Sequence, residues 1–168
     1  MLKKIVLAVA LALPMIASAQ TVKIGIVDTN AVIASLPETT AAQSELEQRQ
    51  KGYEEEYKKL GEEMNRRLDE FKKLDDKTLP AIRENKARDL QDYQQKIEEF
   101  ERSASTDLQK LQNDLMAPIL QKVRQAIESV GKEGNYTLIT DRNPQVILYF
   151  AAPAVDITND VKAKLGVK

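Results

Sequence analysis

The side chains of this sequence that could carry acid–base chemistry are carboxylates, and two of them end predicted strands. Asp28 follows the apolar alternation of residues 22–27, and Asp141 follows residues 136–140. The chain has no histidine, cysteine or tryptophan, which excludes histidine general-base catalysis, thiol chemistry and ordinary zinc sites. Because no catalytic partner accompanies Asp28, we interpret it as a cap or turn residue. The sequence therefore predicts a protein that is not an enzyme and has no cofactor.

Most other charged residues of the first half form an acid-before-base pattern. Their carboxylates precede a lysine or arginine by four positions, the favourable order, which stabilises an exposed helix by roughly 0.3 kcal/mol per pair. A helix buried in a globular core has no use for so many ion pairs, so the pattern indicates a helix standing in water. The predicted pairs are Glu45–Arg49, Glu47–Lys51, Glu54–Lys58, Glu55–Lys59, Glu62–Arg66, Glu63–Arg67 and Asp69–Lys73.

Apolar and aromatic stripes run along two predicted helices at steps of four and three residues. The mean step is about 3.5 residues in the first stripe and from Leu90 to Ala104 in the second, which is the coiled-coil period. We predict a long antiparallel helical hairpin over residues 37–130. The alternative, a pair of ordinary amphipathic helices in a compact bundle, fits less well because the stripes are narrow and the charged faces wide.

The hairpin is predicted to turn near residues 78–80. Pro80 biases Leu79 away from helical conformation and is itself tolerated in the first turn of the next helix. Folding back at this point places residue 46 level with residue 112. Pro118 then lies near the start of the first helix, where we expect it to kink the second helix and mark the junction with the rest of the molecule.

Residues 1–19 have the features of an export signal. Two lysines precede the short apolar run of residues 5–16, and Ala-Ser-Ala at residues 17–19 fits a cleavage site. The run is too short for a transmembrane helix, and no later stretch could span a bilayer. We expect cleavage after Ala19 and an exported, soluble mature chain without a lipid anchor.

The mature chain is predicted to be slightly acidic. Two of the 25 basic residues lie in the signal, so 23 remain against 26 acidic ones, a net charge near −3. This balance argues against nucleic acid or anionic lipid as an electrostatic partner. The sequence also has no glycine-rich nucleotide loop, in agreement with a function that does not depend on ATP.

The remaining residues, 20–36 and 131–168, are predicted to form one small β-containing body. Strands are expected at residues 22–28, 136–141 and 145–150, with a final helix capped by Thr158. These segments are too short for a comfortable core without disulfides or metal. We therefore expect the body to bind further copies of itself and to cover its strands in a closed ring, most simply a trimer.

Taken in order, these segments resemble the Skp/OmpH family of periplasmic chaperones. The resemblance covers the whole chain and implies a mainly α homotrimer shaped like a jellyfish, with three helical arms on a strand-containing body. It implies a holdase that keeps unfolded outer-membrane β-barrel proteins in a cavity between the arms, without ATP. Relatives are strongly basic and this chain is not, so lipopolysaccharide or membrane-surface binding is not carried over. The resemblance is carried by the signal, the charged hairpin and residues 23–28, 117–127, 134–141 and 155–158.

Client contacts are expected from apolar or aromatic residues that the hairpin does not use for its own packing. For the aromatic members the other interpretation is a place in the coiled-coil seam. A different function also stays open, in which the hairpin is a structural rod or adaptor in the cell envelope. An arm with exposed apolar surface favours the chaperone, and a dry, fully closed seam favours the rod. The candidate contact residues are Leu79, Pro80, Ile82, Tyr57, Phe71 and Tyr93.

Overall fold

The computed structural model describes residues 22–143, 145, 147 and 149–167. The predicted signal peptide, residues 1–19, lies outside the described residues. The described part is mainly helical with a small sheet, as predicted. Its elements are β1 (Ile24–Val27), α1 (Thr29–Ala34), α2 (Pro37–Lys72), α3 (Pro80–Glu133), β2 (Leu138–Asp141), β3 (Val155–Asp156) and α4 (Thr158–Leu165).

Both long helices begin at prolines. Pro37 and Pro80 are the first residues of α2 and α3, and Leu36 and Leu79 precede them in non-helical conformations. Proline suits this position because its missing N–H would have no partner there and its φ angle is already helical. The predicted start of the second helix at Pro80 is therefore confirmed.

Polar contacts hold the turn between the two long helices. The Asp75 side chain accepts hydrogen bonds from the Lys77 backbone N–H and from the Thr78 hydroxyl, each at 3.0 Å. Arg83 donates to the backbone carbonyl of Asp75 at 2.8 Å. Asp75 closes a local turn through its side chain, so α2 ends at Lys72 rather than around residues 75–77, where the sequence predicts its end.

The two long helices run antiparallel and contact each other along their length. The predicted register, with residue 46 level with residue 112, is consistent with the groove that these two residues line together. Among the described residues, ion pairs join the helices at four levels between body and turn: Glu38–Lys122, Arg49–Asp107, Arg67–Asp89 and Glu70–Lys86.

β1 is the centre of a parallel sheet of order β2-β1-β3. Ile24 pairs with Leu138 on one side, and Gly25 pairs with Val155 on the other. Parallel neighbours need long crossovers, and here the crossover from β1 to β2 includes the whole helical hairpin. β2 and β3 are the edges, so within the described part of a single chain their outer backbone groups have no sheet partner.

The hydrophobic core of the body is built around the last turns of α3. The two body segments are short, and α3 continues past Pro118 to the sheet, where it adds its own apolar side chains to their core. Close packing leaves no room at Gly25, where a Cβ would meet side-chain atoms of Ile139, Ile157 and Tyr136 at 3.1–3.2 Å. The predicted kink at Pro118 stays a prediction. The core residues are Val27, Val32, Leu36, Ala42, Ile119, Val123, Ala126, Val130, Ile157 and Val161.

The predicted strand over residues 145–150 is wrong for its described members, 145, 147, 149 and 150, none of which is in a strand. The Ile147 backbone N–H instead donates to the Asn143 carbonyl at 2.8 Å, which closes a turn. An uninterrupted apolar run has no alternation to distinguish a strand from an apolar loop. The third strand forms later, at Val155–Asp156.

The cap of the last helix also differs from the prediction. Thr158 is the first residue of α4 rather than its cap. Asp156 accepts the hydrogen bond from the Thr158 backbone N–H at 2.9 Å. The Thr158 hydroxyl instead accepts from the Asp28 backbone N–H at 2.9 Å, so it ties the final helix to the end of β1.

Candidate binding surface on the helical arm

The two strand-end carboxylates are used in structural hydrogen bonds. Asp28 accepts from the Ala31 backbone N–H at 2.8 Å and caps α1, as predicted. Asp141 accepts from the Thr29 hydroxyl at 2.8 Å and from its backbone N–H at 3.2 Å. In the described part of the chain, no three His, Cys, Asp or Glu side chains are grouped to hold a metal ion. The described helices also include none long and apolar enough to cross a membrane.

Arg67 joins the two helices in the distal half of the arm. Its guanidinium lies over the Tyr93 ring at 4.4 Å, and its Nη1 donates to both Asp89 oxygens at 2.6 Å. Its Nε donates to Glu63 at 2.7 Å. Tyr93 is only 9% exposed beneath this cluster. The structure therefore places this predicted contact residue in the seam between the helices.

Glu63 is the most strongly perturbed carboxylate of this cluster. Hydrogen bonds from Arg66 and Arg67, with their positive charges, lower the pKa of Glu63 to about 2. Further along α2, Glu70 forms an ion pair with Lys86 of α3 at 3.0 Å. Among the described residues, the only one of the seven predicted ion pairs that forms is Glu63–Arg67. Other partners compete for the basic side chains of the predicted pairs: Arg49 binds Asp107 of the opposite helix, whereas Lys59 and Arg66 bind other glutamates of α2.

An aromatic pair separates the helices at the middle of the arm. The rings of Tyr53 and Phe100 meet edge to face, with centroids 5.8 Å apart. The Tyr53 hydroxyl donates to Asp107 at 2.8 Å, and Arg49 donates to the same carboxylate oxygen at 2.7 Å. Both ends of the tyrosine are thus held, and the pair acts as a fixed spacer between α2 and α3.

Beside this pair lies an open groove of about 600 Å³ between the two helices, which we call the mid-arm groove. Its floor is the buried Ala104. Four consecutive small residues, 103–106, lie at this level of α3. Two of them, Ala104 and Ser105, line the groove, where larger side chains would fill the space. Tyr57 stands at the rim and is 48% exposed. The lining residues are Leu46, Gln50, Tyr53, Glu54, Tyr57, Phe100, Glu101, Ala104, Ser105, Leu108, Gln109 and Gln112.

Tyr57 was predicted from the sequence as a contact residue, but the groove around it was not. The stripe pattern records apolar positions and overlooks runs of small residues. The run at 103–106 was the available signal, because small side chains in one helix leave space opposite an aromatic spacer in the other.

The tip of the arm presents apolar side chains to solvent. Leu79 is 65% exposed and Ile82 is 46% exposed, and Pro80 is also exposed. Phe71, one residue before the end of α2, is half-buried. Of the predicted contact residues, those of the tip and Tyr57 are therefore accessible, Phe71 is partly so, and Tyr93 is not.

The body exposes a second set of apolar side chains, near the edges of its sheet. Leu138 of the edge strand β2 is 55% exposed, and Val155 of the opposite edge strand is 41% exposed. Tyr149, in the loop between them, is the most exposed large apolar residue described. Apolar groups at strand edges are a common means of association between chains.

Comparisons with known proteins agree on one family. The family model described as "Outer membrane protein (OmpH-like)" matches residues 23–165. A relative from Yersinia enterocolitica, "Chaperone protein Skp", is 29% identical over 154 residues, which cover 90% of each chain. A crystal structure from Caulobacter crescentus, described as that of an OmpH-like outer membrane chaperone, superposes with a TM-score of 0.72 at 15% identity. It covers 86% of this chain and 83% of that one, and at this identity it supports the fold alone.

Proposed function

The chain belongs to the OmpH-like outer membrane protein family, and we propose that it is an ATP-independent holdase chaperone of the periplasm. Its clients would be unfolded outer-membrane β-barrel proteins. The observation that carries the proposal is the solvent-exposed arm with apolar groups at its tip. α2 has 36 residues, so the arm extends about 54 Å, far enough to border a client-sized space.

A holdase of this shape needs no catalytic residue. It binds the unfolded state and so lowers the concentration of the species that aggregates. Many weak contacts suffice when they act together on one tethered client, because each contact raises the effective concentration for the next. The scattered apolar groups of the arm fit this mode better than a single deep pocket would.

The client contacts that we propose are the accessible ones. Leu79, Pro80 and Ile82 form an apolar tip, and Tyr57 adds an aromatic ring at the middle of the arm. Phe71 contributes the exposed part of its ring. Tyr93 could take part only if α2 and α3 separated, since its ring is covered by Arg67.

We further propose that the working form is a homotrimer of exported chains. The exposed apolar residues of the body and its two unpaired sheet edges supply surfaces for association. Three arms on a joined body would enclose a cavity. The number three comes from the family resemblance, and the periplasmic location rests on the family and on the export signal predicted at residues 1–19.

The second candidate, a structural rod or adaptor, draws support from the closed parts of the seam. Leu60, Tyr93 and Ala104 are each less than 10% exposed between the helices. A rod would need such a seam and no accessible apolar surface. The exposed tip and the mid-arm groove are what favour the chaperone over it.

The test is an aggregation assay. A urea-unfolded outer-membrane β-barrel protein is diluted into buffer without ATP, with increasing amounts of the mature chain, and light scattering is followed. We expect suppression that saturates near three subunits per client. No suppression at a large excess of folded chain would contradict the holdase and favour the rod.

A tip variant shows whether the arm itself does the work. Changing Leu79 and Ile82 together to serine should weaken suppression, because it removes the two most exposed apolar groups of the tip. The matched control changes Leu120, an equally exposed residue of α3 near the body, to serine. If both variants lose suppression of aggregation to the same extent, client binding does not depend specifically on the tip.

A further inference from the structure

We propose that the mid-arm groove is a recognition site for extended, unfolded polypeptide in which an aromatic or aliphatic side chain lies next to a lysine or arginine. This inference rests on the proposed holdase function and assigns one of its contact sites. The groove binds the apolar side chain, and the carboxylates at its rim bind the neighbouring cation.

The shape of the groove provides the apolar part of the site. Its walls include Leu46 and Leu108, both half-buried, and its floor is Ala104. The Tyr53–Phe100 pair keeps the helices apart, so the groove does not close by collapse of the seam. An apolar side chain seated there would cover surface that now faces water, which is favourable by roughly 25 cal/mol per Å².

The negative charge at the rim favours a client segment in which a lysine or arginine lies next to that apolar side chain. Glu54 and Glu101 line the groove, and none of its lining residues is a lysine or arginine. In the described part of the chain neither carboxylate forms an ion pair with a basic side chain, although the sequence predicted a Glu54–Lys58 pair. Glu54 accepts a hydrogen bond from the Gln50 side chain at 2.9 Å, and Glu101 accepts one from the Tyr57 phenol. Both carboxylates are nevertheless exposed and lack a countercharge among the described residues, so the groove attracts a cation from outside.

Tyr57 joins the two parts of the site. Its ring lies at the rim with 48% exposed surface. Hydrogen bonding to Glu101, together with the charge of that carboxylate, raises the pKa of the Tyr57 phenol. The exposed ring also presents a face on which a lysine or arginine can stack.

Barrel proteins contain segments of this kind. Their strands alternate lipid-facing apolar residues with lumen-facing polar ones, and aromatic residues concentrate near the membrane interfaces. In an unfolded barrel chain, an aromatic ring and a lysine or arginine can therefore be close neighbours. The groove would bind such a segment without any folded structure in the client.

The experiment measures binding of three short fluorescent peptides of equal length to the full mature chain by anisotropy. The first has a leucine–tyrosine–leucine centre flanked by lysines. The second has glutamates in place of the lysines, and the third has alanines in place of the apolar centre. We expect the first to bind about tenfold more tightly than either of the others, as expected when both an apolar and a charged contact contribute.

Two groove variants with matched controls assign the binding to this place. Ser105→Leu fills the groove from its rim and should weaken the lysine peptide at least about fivefold, whereas Ser103→Leu, on the same helix but outside the groove, should not. Glu101→Gln should bring the lysine and glutamate peptides closer together in affinity, whereas Glu99→Gln should leave their ratio unchanged. Circular dichroism establishes that each variant is folded.

Three outcomes would overturn the proposal. The lysine peptide could bind the wild type and Ser105→Leu equally. The preference for the lysine peptide over the glutamate peptide could be as large in Glu101→Gln as in the wild type. Ser105→Leu could change the oligomeric mass in sedimentation, which would make the groove a contact between copies of this chain. The proposed function fails separately, when the wild-type chain itself does not suppress client aggregation.

Discussion

At the scale of single residues, Arg67 shows how charge replaces apolar packing in the distal arm. It binds Asp89 across the hairpin, Glu63 along its own helix and the face of Tyr93. A guanidinium can do all three because it is planar and presents donors in a fixed fork. In the sequence Arg67 lies at steps of three and four from Met64 and Phe71 and so falls on the apolar stripe of the first helix, which indicates that this level of the seam is polar.

The carboxylate of Glu63 makes the arm sensitive to acid. Its pKa in the folded chain, about 2, lies below the unfolded value near 4.5. Its stabilising effect is therefore complete above that unfolded value and is lost as the pH falls towards 2. We predict that the melting temperature of Glu63→Gln, followed by circular dichroism, falls less than that of the wild type across this window.

Glu62→Gln is the control for that measurement. Glu62 is the exposed neighbour of Glu63, and its predicted pair with Arg66 does not form among the described residues. Its melting temperature should follow that of the wild type at every pH. Parallel loss of stability in Glu63→Gln and wild type would show that the ion pairs of Glu63 do not stabilise the arm.

At the scale of elements, two glycines lower the stability of the first long helix. A Cβ at Gly52 or Gly61 would meet no atom within 4 Å, so nothing in the fold requires glycine there. We predict that Gly52→Ala with Gly61→Ala raises the free energy of unfolding by about 1 kcal/mol per site, measured by urea denaturation, because alanine favours the helix.

Gly25→Ala is the opposite case. Its Cβ would press on three side chains of the body core, so this variant should unfold at lower urea concentration than the wild type.

Unchanged stability in the Gly52→Ala, Gly61→Ala double variant of α2 would mean that the two glycines do not destabilise the helix. Stabilisation with loss of chaperone activity would instead assign them a role in bending the arm.

The long helices were predictable because periodicity, charge order and proline all pointed to the same boundaries. Pro37 and Pro80 begin helices whose stripes repeat over many turns. The run at 145–150 offered only apolarity, which a loop can share with a strand, and its prediction failed. The mid-arm groove could not be derived because it depends on which small residues of α3 face the aromatic ring of α2. Side-chain geometry across the hairpin is not a local property of either helix.

At the scale of the whole molecule, the body should determine assembly. Leu138 is 55% exposed on the edge strand β2, and we predict that Leu138→Glu lowers the mass measured by sedimentation equilibrium from oligomer to monomer. A charge at this position would be buried without a partner in an interface. The arm should stay helical in this variant, since the contacts between α2 and α3 are unchanged.

Leu120→Glu is the control, because Leu120 is 48% exposed but belongs to α3 rather than to an edge strand of the sheet. Its mass should equal that of the wild type. If Leu138→Glu leaves the mass unchanged as well, the β2 edge is not an association surface. The homotrimer would then have to be built from another part of the body.

The central place of β1 also determines the order in which the chain can acquire its structure. Ile24 near the start pairs with Leu138, more than a hundred residues later, whereas the hairpin forms from neighbours around one turn. Contacts between distant residues carry the larger loop-closure cost and form late. The two helices should consequently pair first, starting at the turn, and the sheet should form afterwards. The two ends of the chain therefore come together only when the arm already exists. A chain truncated before β2 would retain its paired helices, but β1 would have neither of its neighbouring strands.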